Sequence, residues 1–495
     1  MTTGTIVHGG IMVAGHDAPA QRNGAVLVKD AKIVEVGDLA AVREKAPEAS
    51  ILGGEGMLLV PGLVNAHSHG KGLSDFQRGA RDDFLEVWTL DTLKLKPLDV
   101  YDDVSLAAAN LLSSGITTTM HNHSPVVVDC QEQWGRAIQA YGDAGIRVQF
   151  NPSIIEFGRF VYGGRGENRA FISSLPEPVQ AALLAPPPPG MLTADGYVQE
   201  VLTLHDRAHG PMSLIGFGPL GPHMVGEDLL LQIRRAADAL GAPIHIHALQ
   251  TRLQRDCFDR AHAGGLVPRL RTIGFLGPRL VIGHGTWLDE ADIQLLAESG
   301  AGVTHHPACN LRIRSGIAPL PALLRAGVSV GLGLDDKSLG DDNDMLQEMR
   351  LAYLLHRVAE HAIGASCPSP RELFRMATSS GAQLLGLGGM TGRLAPGMAA
   401  DLLLLDYQAM CAPYASPDLD PIEVLVQRGS RHHVHTVMVN GRVVVSDGRV
   451  QSVDRQSVGR RLAEQAGRPL TEQEALMAGL FDCIKAGIVR HYSEA

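Results

Sequence analysis

Imidazoles spaced two residues apart recur along this chain. His67/His69, His121/His123, His245/His247 and His433/His435 are four such pairs. With 21 His among 495 residues, composition alone supplies about one pair by chance. Three of the four follow, or lie inside, apolar runs of β-forming residues. On a strand, residues i and i+2 share a face, so both rings of a pair can turn toward one site. Two more groups stand at the ends of similar runs: His284 after "RLVIG" and Asp335 after "VSVGLGL". One histidine alone reads as a hydrogen-bonded core or surface residue. Four histidines (His67, His69, His247, His284) and Asp335 at the ends of four strands read as a centre for a divalent transition metal such as Zn²⁺ or Fe²⁺.

The elements that must position these groups follow a repeat. Eight short apolar runs rich in Val, Ile, Leu and Gly lie between about residues 60 and 395: "LLVPGLVNAH", "GITTTMHNH", "IRVQFNPS", "SLIGFGPLGPH", "APIHIHALQ", "RLVIGHGTW", "AGVTHHPACN" and "VSVGLGLDD". Helix-like stretches separate most of them, such as 104–115, 228–241 and 289–300. Strand then helix, eight times, predicts an α/β fold of the (β/α)₈ TIM-barrel type, whose active sites sit at the C-terminal strand ends. Residues 1–59 carry short β-like runs, and a matching pattern returns at 396–452, where "NG" marks a hairpin turn. This predicts a small β-sandwich domain built from both chain ends. Residues 156–196 form a polar, Pro-rich insertion ("APPPPG") after the third strand, either a surface excursion or a substrate lid. Residues 453–495 are a helix-like tail, packed on its own chain or on another subunit.

The bulk numbers narrow the function. The net charge is −10, which disfavours nucleic acid or an anionic membrane surface as partner. No signal peptide and no long apolar span are recognisable, and the six Cys form no CxxC. A cytoplasmic enzyme with reduced thiols and a small-molecule substrate is expected. Homodimer or higher homo-oligomer remains open.

The motifs together resemble the amidohydrolase superfamily, in the branch of cytosine and guanine deaminases and triazine hydrolases. The matching text is "PGLVNAHSH", "FQRGARDDFLEVW" (76–88), "GITTTMHNH", "IHIHALQ", "IGHGTWLDEADI", "HHPACNLRIRSGIAP" and "VSVGLGLDD…NDMLQEMR". "TGRLAPGMAADLLLLD" and "VMVNGRVVVSDG" resemble that family's sandwich. The resemblance covers residues 1–450 and implies His67, His69, His247 and Asp335 as metal ligands. It implies Asp335 as the base that takes a proton from a metal-activated water. His284 is implied as the group that hydrogen-bonds that water or the substrate. Some members bridge two metals with a carboxylated lysine. This chain has no Lys between Lys96 and Lys337, which favours a single metal, zinc first and iron as alternative.

One position departs from the pattern. Ring deaminases of this branch carry Glu three residues after the strand-five histidine, and here Gln250 stands in its place. An amide donates hydrogen bonds but cannot shuttle a proton. Either His121, His123, His223, His306 or Asp336 supplies that proton, or the substrate does not need it. Gln250, Asn310, His121, His123, His223 and His306 are the expected substrate residues. His245 reads as a buried structural residue, and His433/His435 as ordinary surface. The expected activity is hydrolysis of a non-peptide C–N bond in a small amide, urea, amidine or amino-heterocycle. Gln250 tilts this toward a urea or amide carbonyl and away from cytosine- or guanine-like rings. The alternatives are a ring deaminase or a chlorohydrolase of the triazine type. A ligand-free scaffold is disfavoured by the intact His67/His69/His247/Asp335 set.

Overall fold

The computed structural model describes residues 4–124, 129–157, 160–186, 189–357, 363–364 and 366–493. Each of the eight apolar runs contains a short strand. In order they are Leu63–Asn65, Ile116–His123, Arg147–Ile154, Ser213–Ile215, Ile244–Ala248, Leu280–His284, Gly302–His305 and Val330–Leu332. The first four pair in parallel in chain order, with Gly218–Pro219 extending the series beside the third. The last four form a second parallel sheet, again in chain order. Nearly every strand residue is buried, so strands such as Leu280–His284 and Val330–Leu332 are largely apolar, while Ile116–His123 and Arg147–Ile154 bury polar side chains including Thr118, Gln149 and Asn151.

Two seams link the sheets. The Ala66 N–H, just past the first strand, donates to Leu332 O of the eighth at 2.8 Å. Phe217 bridges Ile244 in parallel, and the His245 N–H donates to Phe217 O at 2.9 Å. Helices connect the strands as the periodicity requires: Val100–Ser113, Glu227–Leu240 and Glu290–Ser299 fall where the sequence places them, within a few residues. Asp99 and Asp289 cap the first and last of these by accepting backbone N–H groups of the first turn.

Both chain ends meet in one eight-stranded mixed sheet. Strands Thr5–Met12, Gln21–Lys29, Lys32–Asp38 and Ser50–Pro61 join Leu402–Asp406, Val434–Val439, Arg442–Ser446 and Arg449–Val450. The junction is Ser50–Pro61 antiparallel to Leu402–Asp406. Val7, Val26, Ile33, Leu59, Leu402 and Leu404 form a separate apolar cluster within it. This sheet docks on the N-terminal strand ends through Arg147, whose guanidinium pairs with the Asp401 carboxylate, both side chains fully buried.

The insertion folds as two short helices, Arg165–Ser173 and Glu177–Leu183. Its residues 158–159 and 187–188, the latter inside the "APPPPG" run, lie outside the described residues. The tail forms helices Arg455–Gly467 and Glu472–Ser493, and it packs on its own chain, where Leu90, Phe171, Leu175, Ile484 and Ile488 share a cluster. All six cysteines are unpaired. Among the described residues no helix is long and apolar enough to cross a membrane.

Candidate metal centre and active site

The C-terminal ends of the strands gather the titratable groups. His67 and His69 follow the first strand, His247 lies near the end of the fifth, His284 ends the sixth and Asp335 follows the eighth. The ring nitrogens of His67, His69 and His247 lie within 4.8 Å of one another, and so do ligand atoms of His67, His284, His306 and Asp335. The Asp335 Oδ1 atom sits 3.1 Å from both His67 Nε2 and His69 Nε2. Gly333 makes this approach feasible, since a Cβ there would stand 2.8 Å from the His67 Cβ and from His306. The backbone is also unusual. Leu249, His284, Asp335 and Asp336 have φ of 50°, 70°, 54° and 50°, a left-handed conformation that is costly without glycine and that collects at functional sites.

Each imidazole is aimed by its other nitrogen. His69 Nδ1 lies 2.8 Å from Asn122 O, and His247 Nδ1 lies 2.9 Å from Leu220 O. Carbonyl oxygens only accept, so Nδ1 carries the proton in both rings and Nε2 keeps its lone pair. His67 Nδ1 meets His245 Nε2 at 2.8 Å. His245 is therefore the orienting partner of a candidate ligand, a role that its reading as a structural residue did not include.

The donor set passes a test for a metal. His67 Nε2 is buried and makes no well-aligned hydrogen bond among the described residues, although Asp335 Oδ1 lies 3.1 Å away. A buried polar atom left without a partner is costly, and three imidazole lone pairs converging beside one carboxylate match a divalent transition-metal site with outer-shell support. Burial alone would raise Asp335, but facing His67, His69 and His284 holds its carboxyl well below the usual range. Burial, with His67 and His69 close by, lowers His247 well below an ordinary imidazole, so it is neutral and able to ligate.

The other predicted residues separate into groups. His284 Nδ1 lies 2.9 Å from Asn310 Oδ1 and 3.1 Å from His306 Nδ1, and its Nε2 lies 3.6 Å from Asp335 Oδ2. His306 stacks on His67 at 4.4 Å, fully buried, and its Nε2 meets Thr304 Oγ1 at 2.9 Å. It sits among the ligands rather than facing outward. His121 has both nitrogens engaged, by the Tyr141 hydroxyl at 3.1 Å and by His123 at 3.2 Å. His223 is buried with neither nitrogen partnered among the described residues, its ring edge-on to Tyr162 at 4.9 Å. Gln250 is buried, and its backbone N–H donates to Gln254 Oε1 at 2.8 Å. Asp336 Oδ2 accepts the N–H groups of His69 (2.7 Å) and Lys71 (3.0 Å), so it shapes the histidine loop. His433 and His435 bond to Ser430 and Thr436, in the mixed-sheet region.

Sequence reasoning did not reach Tyr162, Glu86 or Glu348. Tyr162 donates its hydroxyl to Glu86 Oε1 at 2.8 Å, and Glu348 Oε1 accepts the Ala308 N–H at 2.8 Å, fixing the helix that carries Asn310. Tyr162 carries no motif or spacing signal, and Glu348 lies inside the family-like phrase "NDMLQEMR" on a helix whose burial the sequence does not reveal. Glu86 lies inside a family-like phrase but on a helix whose burial the sequence does not reveal.

The amidohydrolase family profile matches residues 58–444, and an imidazolonepropionase-like composite domain of bacteria matches residues 24–49. A 5'-deoxyadenosine deaminase of Methanosarcina barkeri is 30% identical over 458 residues, covering 90% of this chain and 94% of its own. A 5-methylthioadenosine/S-adenosylhomocysteine deaminase of Pelotomaculum thermopropionicum is 31% identical over 460 residues, covering 91% and 94%. The crystal structure of an adenosine deaminase from Xanthomonas campestris with bound zinc superposes with a TM-score of 0.79 at 26% identity, covering 94% of this chain and 98% of that one.

Proposed function

The chain belongs to the amidohydrolase family, a metal-dependent hydrolase acting on C–N bonds other than peptide bonds, and from that premise we propose that it deaminates the aminopurine ring of an adenosine-type nucleoside. The observation that carries this reading is the convergence of His67, His69 and His247 on Asp335, in a chain whose relatives are adenosine-type deaminases. Of the substrate classes left open by the sequence, the relatives favour the amino-heterocycle over the urea or amide.

His67, His69, His247 and Asp335 hold one divalent metal, with zinc supported by the zinc-bound relative and a single site by the absence of Lys between Lys96 and Lys337. When bound, the metal supplies positive charge beside the reacting carbon and acidifies water. Asp335, unprotonated, takes the proton of the attacking water and passes it to the departing amino group, which leaves as ammonia. His284 donates Nδ1–H to Asn310, so its neutral Nε2 accepts a hydrogen bond from the proton that stays on the attacking oxygen. Gln250 orients the ring by hydrogen bonds. Of His121 and His223, His223 is the one whose nitrogens have no hydrogen-bond partner among the described residues, so its neutral ring is the better hydrogen-bond donor to the substrate ring nitrogen that Gln250 cannot protonate.

The two parallel sheets are read as one (β/α)₈ barrel over residues 60–395, supported by the hydrogen bonds at both seams. The mixed sheet is read as a small β-sandwich from residues 1–59 and 396–452, with 453–495 as a helical tail. The test is ammonia release by the zinc-loaded protein across 5'-deoxyadenosine, S-adenosylhomocysteine, adenosine, cytosine, guanine and a set of ureas and amides. Turnover of the adenosine compounds well above the rest is expected. Turnover of ureas or amides alone would overturn the reading.

A further inference from the structure

The C-terminal helix Glu472–Ser493 lies far in sequence from every candidate site residue, yet its last turn reaches the site's wall. The Tyr162 N–H donates to the Tyr492 hydroxyl at 2.8 Å. The Tyr162 hydroxyl donates to Glu86 Oε1 and accepts from Gln254 Nε2 at 3.2 Å. The Thr251 hydroxyl donates to the same Glu86 oxygen at 2.6 Å, and Gln254 Oε1 accepts the Gln250 N–H at 2.8 Å. The Tyr162 ring is also edge-on to His223. One tyrosine thus touches His223 and is tied through Gln254 to Gln250, the two residues assigned to the substrate ring. Its own backbone is held by the tail.

The tail is fixed firmly enough to transmit position. Ile484 and Ile488 are buried against Leu90, Phe171 and Leu175. Lys485 pairs with Asp91 at 2.6 Å, on the helix Leu85–Thr92 that carries Glu86. Gly487 lies so close to the insertion that a Cβ there would stand 2.6 Å from Leu175 and 3.3 Å from Phe171.

We propose that the C-terminal helix is a working part of the substrate site. It sets Tyr162, a positioning residue, so that His223 and the Gln250–Gln254 turn present a fixed surface to the substrate. The proposal rests on the deaminase reading for its kinetic arm. Its structural arm does not depend on any substrate.

Two full-length variants test it. Gly487→Val drives a wedge between tail and insertion, and Tyr492→Phe removes only the acceptor for the Tyr162 N–H. For 5'-deoxyadenosine, Gly487→Val should raise KM by about tenfold with kcat within about twofold and bound metal unchanged, the pattern of lost ground-state binding. Tyr492→Phe should move KM the same way by a smaller factor, and Tyr162→Phe should reproduce it. Amide hydrogen exchange on the metal-loaded protein supplies the second readout: exchange in 160–171 and 250–254 should quicken in Gly487→Val while the eight strands stay protected. Quickened exchange at 160–171 with unchanged exchange at 250–254 would overturn the coupling, whatever the substrate. An unchanged KM with a loosened tail would overturn it kinetically. If no adenosine compound is turned over but both segments loosen together, the deaminase reading fails and the coupling stands.

Discussion

The two ends of the parallel strands treat buried charge in opposite ways. At the N-terminal ends, Arg147 is fully buried and is answered within the protein. It pairs with Asp401, and its Nε donates to Pro211 O at 2.9 Å. Asp401 in turn accepts the Asn440 N–H at 2.7 Å. At the C-terminal ends, the Nε2 atoms of His67 and His284 and both nitrogens of His223 are buried without hydrogen-bond partners among the described residues. Four non-glycine residues there also carry positive φ. The floor joins the parallel strands to the mixed sheet and pairs its buried charges within the protein, with Arg147 Nη2 left without a hydrogen-bond partner among the described residues. The mouth leaves donors and acceptors open, and a metal, a water and a substrate ring can complete them. Stability and reactivity have been placed at opposite ends of the same strands, as the fold class allows.

The contrast is broken most directly at Asp335. Asp335→Asn should lower kcat by about 10³-fold or more while retaining part of the metal, since an amide oxygen can ligate but cannot take a proton. Steady-state kinetics with elemental analysis checks this, and near-native kcat would remove the base assignment. A smaller loss is expected from His284→Ala, about 10²–10³-fold in kcat at full metal content, the scale of a lost transition-state hydrogen bond.

At the floor the effect should fall on stability instead. Arg147→Ala leaves Asp401 buried without its cation and should cost about 3–5 kcal/mol in urea unfolding, with kcat/KM unchanged where the variant is folded. A loss of activity without loss of stability would mean that the floor reaches the site. The smallest effect concerns acid. Burial pushes His123 and His223 down from 6.5 to about 4 in the folded state. Between those values the unfolded chain binds more protons, so stability present above 6.5 is lost as pH falls toward 4. Thermal melts of the metal-free protein should show a midpoint falling by a few degrees across that window. The same slope in Arg147→Ala would place the titration at the mouth, and a flat profile would mean that those imidazoles are not held neutral.

Much of the site is legible in the sequence because chemistry fixes residue types. His67, His69, His247 and Asp335 end apolar runs, and the alternation of a strand aims i and i+2 together. Several of the eight strands appear where Val, Ile and Leu cluster, since burial on both faces favours apolar residues, while Ile116–His123 and Arg147–Ile154 carry polar side chains that the fold buries. Outer-shell partners are less visible. His69 and His247 are oriented by the carbonyls of Asn122 and Leu220, and any residue type supplies a carbonyl. His245 shows in its pairing with His247, but its contact with His67 spans 178 positions.

What the sequence determined by itself was the donor chemistry, the order of strands and helices and the meeting of both chain ends in one sheet. Each of these follows from local periodicity or from which side-chain atoms can bind a metal. Tertiary structure alone decided that His306 lies among the candidate ligands, that His121 is engaged while His223 has no hydrogen-bond partner among the described residues, and that Tyr492 holds Tyr162. These are contacts between elements far apart in the chain. Their selection depends on packing across the whole fold, and no window of sequence contains that information.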